Sequence, residues 1–170
     1  MNNSQLLRDV TVEDLPMLLA WRNHPDVRRF MYSQYEIQPE EHQNWFAKVS
    51  QDPSRVVLLY SEKQTPLGFC QFTIYQGRAE WGFYLAPDAS KGTGRRLGKA
   101  AIDFAFLERQ WHKVSGEALG YNKPSIKFHN KLGFTEEGCL REHAEVDGQF
   151  YDVLCFGLLR SEWLAQREVI

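Results

Sequence analysis

The sequence lacks the features that mark metal-binding, secreted and membrane proteins. Its three cysteines, Cys70, Cys139 and Cys155, stand far apart in apolar contexts and follow neither a metal-ligand nor a disulfide spacing. Residues 1–5 are polar, without an apolar signal core, and no run approaches the roughly 20 apolar residues that span a bilayer. We therefore expect a cytoplasmic protein with reduced core cysteines, no metal site and no membrane partner.

The sequence also lacks a large net charge and any linker that would divide it into separate domains. The formal net charge is -2, so there is no basic field to gather nucleic acid, although local cations could still bind an anionic small molecule. No linker, repeat or low-complexity tract interrupts the 170 residues, which predicts a single domain over 1–170. The sequence does not distinguish a monomer from a homodimer.

The hydrophobic pattern changes along the chain from helical to strand-like and back. The long helix is predicted from a stripe that starts at Leu97 and includes Ala101, Phe104, Leu107 and Trp111 at helical spacing. The expected helices are 11–21, 27–32, 39–49, a long one from 95, and 124–131, with a turn at 23–26. The expected strands are 6–10, 55–60, 67–75, 78–85, 114–119 and 150–159. This order predicts an α/β fold with a mixed sheet and a ligand cleft where neighbouring strands separate.

A glycine-rich loop lies between the strand at 78–85 and the long helix. Gly92 and Gly94 allow a sharp turn and a close approach to a ligand, and the helix that follows offers free backbone amides. Lys91, Arg95 and Arg96 add cations, so the loop could hold a pyrophosphate. The alternative is an ordinary glycine turn with exposed basic residues, because a lone G-x-G is a weak signal.

The segments around this loop resemble the GNAT acetyltransferase family over about residues 5–160. The resemblance rests on WGFYLAP at 81–87, the loop itself, and NKPSIKFHNKLGF at 122–134. It implies a mostly antiparallel sheet with splayed central strands, helices on both faces, and acetyl-CoA as co-substrate. It also implies that backbone at Tyr84 and Leu85 binds the pantetheine arm and that Asn122 contacts it. The pyrophosphate would be held by Lys91, Gly92, Thr93, Gly94, Arg95 and Arg96.

Two positions depart from the family pattern. Ala89 stands where the family usually has Gln or Arg, three residues before the first loop glycine. His129 stands where the family often has a Tyr, which is its usual acid for the departing thiolate. A histidine can donate a proton near neutral pH, so the resemblance predicts His129 as the acid. The alternative is a polar residue on an exposed helix face.

Two glutamates are candidates for the base that deprotonates the acceptor amine. Glu80 and Glu117 lie in the strands expected to splay around the acetyl group. We favour Glu117, because its neighbours Gly116 and Ala118 leave room for a substrate. The alternative for each is a strand-edge charge that faces solvent.

The first third of the chain is expected to bind the acceptor. It combines cations with aromatic side chains, which suits a nucleotide-linked sugar better than a hydrophobic peptide. Arg22, Arg28 and Arg29 are candidates for the phosphates of UDP, and His42 and Trp45 for the sugar or base. The alternative is a helix pair with aromatic side chains in the core and solvated arginines.

This region resembles acetyltransferases of pseudaminic acid biosynthesis, which modify a sugar of flagellin or surface glycans. The resemblance is carried by WRN at 21–23, VR at 27–28, MY at 31–32, EH at 41–42 and WF at 45–46. It implies direct transfer to the 4-amino group of UDP-4-amino-4,6-dideoxy-N-acetyl-β-L-altrosamine. The alternatives are a ribosomal-protein-type N-terminal acetyltransferase and a non-catalytic acyl-CoA-binding domain.

Overall fold

The computed structural model describes residues 6–168, so residues 1–5, whose polar character argued against a signal sequence, lie outside the described part. The strands are β1 (Leu7–Asp9), β2 (Arg55–Glu62), β3 (Thr65–Tyr75), β4 (Arg78–Leu85), β5 (Lys113–Leu119), β6 (Thr135–Val146) and β7 (Gln149–Leu159). The helices are α1 (Leu15–Asn23), α2 (Pro25–Arg28), α3 (Pro39–Val49), α4 (Thr93–Asp103), α5 (Lys123–Lys131) and α6 (Arg160–Glu168). Short turns of 3-10 helix (Val12–Asp14) and π-helix (Phe104–Glu108) precede α1 and follow α4.

The strands form one seven-stranded sheet in the order β1-β2-β3-β4-β5-β7-β6. All neighbours are antiparallel except β4 and β5, which pair in parallel only where residues 78–80 meet residues 113–115. Beyond that point β4 continues on β3 as far as Leu85, and β5 continues on β7 as far as Leu119. The facing edges of β4 and β5 are therefore free of each other, and a cleft opens between them.

Helices cover both faces of the sheet, as the sequence predicts. In β2, Leu58 and Tyr60 join the core under α4 and α6, while Val57 and Leu59 join the core under α1 and α3. Both faces of this strand are buried, which explains why it is a continuous apolar run and not an alternating one. The predicted α/β fold with a mostly antiparallel sheet and splayed central strands is confirmed.

Some predicted elements end differently in the structure. The long helix stops being α-helical at Asp103, and Trp111 lies beyond it, where its amide donates to the Ala105 carbonyl. The segment 23–26 is not a turn, because α1 runs to Asn23 and α2 already begins at Pro25. The predicted helix 27–32 ends at Arg28, since Asn23 exchanges two side-chain hydrogen bonds with the backbone of Ile37 and holds the following segment as a loop.

Two elements were missed, and one cysteine was misplaced. β6 was not predicted, because most of its side chains are exposed and give no alternating pattern. α6 was not predicted either. Cys70 is buried as expected and Cys155 is partly buried, but Cys139 is exposed on β6 and is not a core residue. Among residues 6–168, no helix has the length and apolar character needed to cross a bilayer.

Candidate functional site

A cavity of about 870 Å³ lies where β4 and β5 separate. One end is bounded by the loop between β4 and α4 and by the start of α5, with Ala86, Gly94 and Asn122 in its wall. The other end is bounded by α1, α3 and the 29–38 segment, with Arg22, Tyr32 and His42 in its wall. The cleft is therefore continuous between the predicted cofactor loop and the predicted acceptor region.

The cofactor end is built around the first turn of α4. Gly92 caps the helix with φ of +91°, a left-handed conformation that favours glycine. The amides that follow open the helix, where partial positive charge and free donors favour an anion. A Cβ on Gly94 would only contact Leu85 and Phe128 at ordinary distances, so the position is not fixed by crowding. This end has the shape and donors for a pyrophosphate.

The basic side chains of the loop do not all face the same way. Lys91 and Arg95 are exposed. Arg96 is engaged elsewhere, because its Nε donates to Glu62 Oε1 at 2.6 Å and its Nη2 to Thr93 Oγ1 at 3.1 Å. The Thr93 side chain is buried. The backbone amides of Thr93 and Arg96 are also used, since they donate to the carbonyls of Ser90 and Gly92, and the Arg96 guanidinium belongs to the pair with Glu62.

The remaining predicted cofactor residues lie along the cleft. Tyr84 and Leu85 lie at the end of β4, where the strand pairs with β3 but no longer with β5, so one backbone edge faces the cleft. The Tyr84 ring stacks on Phe69 at 4.9 Å. Asn122 caps α5 by accepting the Ser125 amide at 3.1 Å. Ala89, which departs from the family pattern, lines the same end of the cleft.

His129 is a buried structural residue in this arrangement. Its side chain is 1% exposed, which excludes the exposed-face alternative. Its Nε2 accepts a hydrogen bond from Trp81 Nε1 at 3.1 Å, and its Nδ1 lies 2.8 Å from the Ser125 carbonyl oxygen. Burial lowers the pKa of His129, so the neutral ring with its proton on Nδ1 satisfies both contacts. Its Nδ1 proton is donated to the Ser125 carbonyl, so no N–H is free for the thiolate in this arrangement, but His129 lines the cleft and its acid role stays a prediction.

The two predicted glutamates meet at the point where the strands part. Glu80 lies beside Ser115 in the parallel pair, and Glu117 is two residues further along β5, so both side chains leave the same face of the sheet. Burial and the Glu117 charge raise the pKa of Glu80, with Arg55 opposing. Glu117 Oε2 accepts the Tyr32 hydroxyl at 2.5 Å. Both side chains are exposed and both line the cleft, so the role of base and the alternative of a solvent-facing charge remain open.

Only some of the predicted acceptor residues reach the cleft. Arg22, His42 and Trp45 line it, and the His42 ring stacks on Trp45 at 5.1 Å. Burial lowers the pKa of Arg22 and of His42, and the two side chains are close enough to interact. Arg28 and Arg29 are not among the residues that line the cleft, and Arg29 instead lies over Phe30 and near Asp26. The assignment of Arg29 to the UDP phosphates is therefore corrected, whereas Arg28, whose charge acts on Arg22, stays a prediction.

Sequence reasoning missed several residues at the acceptor end. Tyr32, Asp26 and Glu41 line the cleft, and Tyr121 ties the 29–38 segment to β5. Tyr32 and Glu117 are 85 positions apart, so no local spacing could have joined them. Within residues 6–168, no group of three or more His, Cys, Asp or Glu side chains is arranged to hold a metal ion.

Comparisons with known proteins identify the family of the chain. The acetyltransferase (GNAT) domain model matches residues 5–135. An N-acetyltransferase of Bacillus subtilis, YokL, is 32% identical over 119 residues, 68% of this chain and 67% of its own. Acetyltransferase PseH of Campylobacter jejuni is 28% identical over 128 residues, 75% of this chain and 80% of its own.

A solved structure gives the same fold. The spermidine N-acetyltransferase of Vibrio cholerae, in complex with CoA and spermine, superposes with a TM-score of 0.87 and 24% identity. The match covers 95% of this chain and 99% of that one. The chain belongs to the GNAT acetyltransferase family, and it is an N-acetyltransferase that uses acetyl-CoA.

Proposed function

We propose that the chain acetylates the 4-amino group of a UDP-linked amino-dideoxy sugar, by direct transfer within a ternary complex. The observation that carries this proposal is a pair of buried side-chain nitrogens in the acceptor wall. Arg22 Nη1 and His42 Nδ1 are both buried, and among the described residues neither has a hydrogen-bond partner. A buried polar group without a partner is costly, so a ligand that brings anionic oxygens to Arg22 and a hydroxyl group to His42 would be favoured.

The shape of this wall supports the same acceptor class. Arg22 is held by its Nη2, which donates to the Ser33 carbonyl at 2.9 Å, and this leaves Nη1 for a ligand. A planar guanidinium suits phosphate oxygens, and Trp45 beside His42 offers a flat surface for a base or sugar ring. The sequence resemblance to acetyltransferases of pseudaminic acid biosynthesis includes Arg22, His42 and Trp45.

The residues of the cofactor end fit acetyl-CoA, which supplies the activated acetyl group. The first-turn amides of α4 would hold the pyrophosphate, with Lys91 and Arg95 nearby in solvent. The free edge of β4 up to Leu85 would bind the pantetheine arm through backbone groups, and its amides would stabilise the oxygen charge that develops during transfer. Glu80 or Glu117 would accept the proton of the acceptor amine.

A polyamine is the second candidate acceptor, and a specific observation favours it. Four carboxylates line the cleft, those of Asp26, Glu41, Glu80 and Glu117, against one guanidinium. Such a surface attracts a molecule with several positive charges. The spermidine enzyme of Vibrio cholerae, named for its substrate, shares the fold.

The test is thiol release from acetyl-CoA by the purified chain with three acceptor panels. These are UDP-4-amino-4,6-dideoxy-N-acetyl-β-L-altrosamine, spermidine with spermine, and peptides with free N-termini. Turnover with the sugar nucleotide supports the proposal, and turnover confined to polyamines selects the second candidate. Turnover confined to peptides would indicate the ribosomal-protein type, and binding of acetyl-CoA without any turnover would indicate a non-catalytic domain.

A pair of arginine variants sharpens this test. Arg22→Gln should lower kcat/KM for the sugar nucleotide by about tenfold to a hundredfold, because a charged hydrogen bond to phosphate is lost. Arg78→Gln is the matched control, since Arg78 is an exposed arginine beside Tyr75 at the β3–β4 turn, outside the cleft, and its loss should leave the sugar kinetics unchanged. Equal effects of both variants would mean that general charge and not a built phosphate contact governs the acceptor.

A further inference from the structure

The loop between α2 and α3, residues 29–38, lies across the acceptor end as a strap. Tyr32 reaches Glu117 on β5, and its hydroxyl donates to Oε2 at 2.5 Å. A second tie lies beside the first, because Gln34 Nε2 donates to the Tyr121 hydroxyl at 2.8 Å. That hydroxyl in turn donates to the Arg29 carbonyl at 2.9 Å. The strap is thus fixed on both sides of Tyr32.

Glu117 and Glu80 are neighbours of the same charge, and their surroundings differ. The Tyr32 phenol donates to Glu117. Glu80 faces the Glu117 carboxylate from β4, and Arg55 approaches it from β2 while bound to Gln71 Oε1 at 3.0 Å. Cys155 faces Glu117 from β7 in the antiparallel pair. The negative charge of Glu117 raises the pKa of Glu80, because like charges disfavour ionisation of a neighbouring carboxyl.

We infer that Tyr32 is a positioning residue that holds the Glu117 carboxylate by a hydrogen bond so that it orients the acceptor amine, which leaves Glu80 to take its proton. The inference rests on the amine-acetylating activity of the family and not on which amine is used. A hydrogen bond donated by the phenol of the fixed strap restricts the orientation of the carboxylate that accepts it. The phenol stays a donor throughout, because burial and the Glu117 hydrogen bond raise the pKa of Tyr32. Burial also raises the pKa of Cys155, so this thiol is neutral beside the pair.

The proton balance of the transfer follows from these roles. The ammonium form of the acceptor pairs with Glu117 and gives one proton to Glu80. Its nitrogen lone pair then forms the bond to the acetyl carbon while the carbon–sulfur bond breaks and its electron pair goes to sulfur. The second proton on nitrogen leaves to the sulfur, so the products are the amide, the free thiol and a protonated Glu80.

The first test needs no acceptor. The carboxyl carbons of Glu80 and Glu117 are observed by NMR at neutral pH in the wild type and in Tyr32→Phe. Loss of the phenol should move the Glu117 carboxyl signal, because the hydrogen bond from Tyr32 is lost. Tyr75→Phe, which removes an exposed phenol at the β3–β4 turn, should leave both signals unchanged. An unchanged Glu117 signal in Tyr32→Phe would overturn the inference.

The second test uses whichever of the sugar nucleotide or spermidine turns over. Tyr32→Phe should raise the acceptor KM about tenfold and leave the KM for acetyl-CoA unchanged. In a Glu117→Gln background the Tyr32→Phe change should add nothing, since the two residues act together. A full Tyr32 effect in that background, or an equal rise in both KM values, would show that Tyr32 acts on the fold and not through Glu117.

Discussion

Gly116 leaves the space in which the side chains of Trp81 and His129 pack between the two central strands. A Cβ at this position would lie 2.5 Å from Trp81 Nε1 and 2.8 Å from His129 Nε2, which are the two atoms of the buried hydrogen bond. Neither ring has room to retreat. Trp81 stacks on Phe134 at 5.3 Å, and His129 stacks on Phe156 at 4.7 Å.

The magnitude for Gly116→Ala follows from these contacts. Overpacking a buried site costs about 1–3 kcal/mol, and a buried indole N–H without its acceptor costs about 1–3 kcal/mol more. We expect a loss of about 2–4 kcal/mol in the free energy of unfolding, since some of the strain relaxes when the hydrogen bond breaks. For a domain of this size that lowers Tm by about 5–15 °C.

Urea and thermal unfolding measure this loss against a matched glycine. Gly138 lies on β6, where an added Cβ would meet no heavy atom within 4 Å, so Gly138→Ala should change stability by less than about 0.5 kcal/mol. If Gly116→Ala unfolds at the same urea concentration as Gly138→Ala, the two rings are not locked as described. The account of His129 as a structural residue would then fail as well.

The other predictions concern His129 and the cofactor loop. His129→Gln keeps an acceptor for Trp81, so kcat should stay within about threefold of wild type across the pH range; a fall of about a hundredfold in the thiol-release assay would confirm His129 as the acid. Gly92→Val should raise the KM for acetyl-CoA about tenfold and cost about 1–3 kcal/mol of stability, because Gly92 has φ of +91° at the helix cap. Gly77→Val is its control, since Gly77 has φ of +78° in a turn far from the loop. This control should lower stability without changing the KM for acetyl-CoA, and equal KM values in the two variants would show that the loop does not bind the cofactor.

Sequence reasoning reached the parts of the protein that depend on local pattern. The β4 strand, the glycine loop and α4 could be predicted, because a strand, a turn and a helical stripe follow one another within residues 78–103. The meeting of Glu80 and Glu117 was expected from the family resemblance and needs only the correct pairing of β4 with β5. The order of the helices and strands, and the roles of residues close together in the sequence, could therefore be predicted from the sequence.

The remaining features depend on contacts between distant segments. The burial of His129 requires Trp81 from one strand and the missing side chain of Gly116 from another, which α5 alone does not reveal. Arg96 was assigned to the cofactor as a cation, but Glu62 comes from 34 positions away and takes its guanidinium. Arg29 carries the expected charge, but its side chain lies over Phe30 and near Asp26, and the sequence does not reveal that placement.

The strap across the acceptor end has a consequence for how the protein assembles. Its ties join residues 85 to 92 positions apart, whereas β1 to β4 pair with their sequence neighbours. Contacts of such long sequence separation carry a large loop-closure entropy and are made late in folding. They rest on a few partly exposed hydrogen bonds, so they should also open first, at a lower free energy than the sheet. In amide hydrogen exchange, residues 29–38 would then lose protection while β3 and β4 keep theirs, and the cofactor end would persist in a molecule whose acceptor end has come apart.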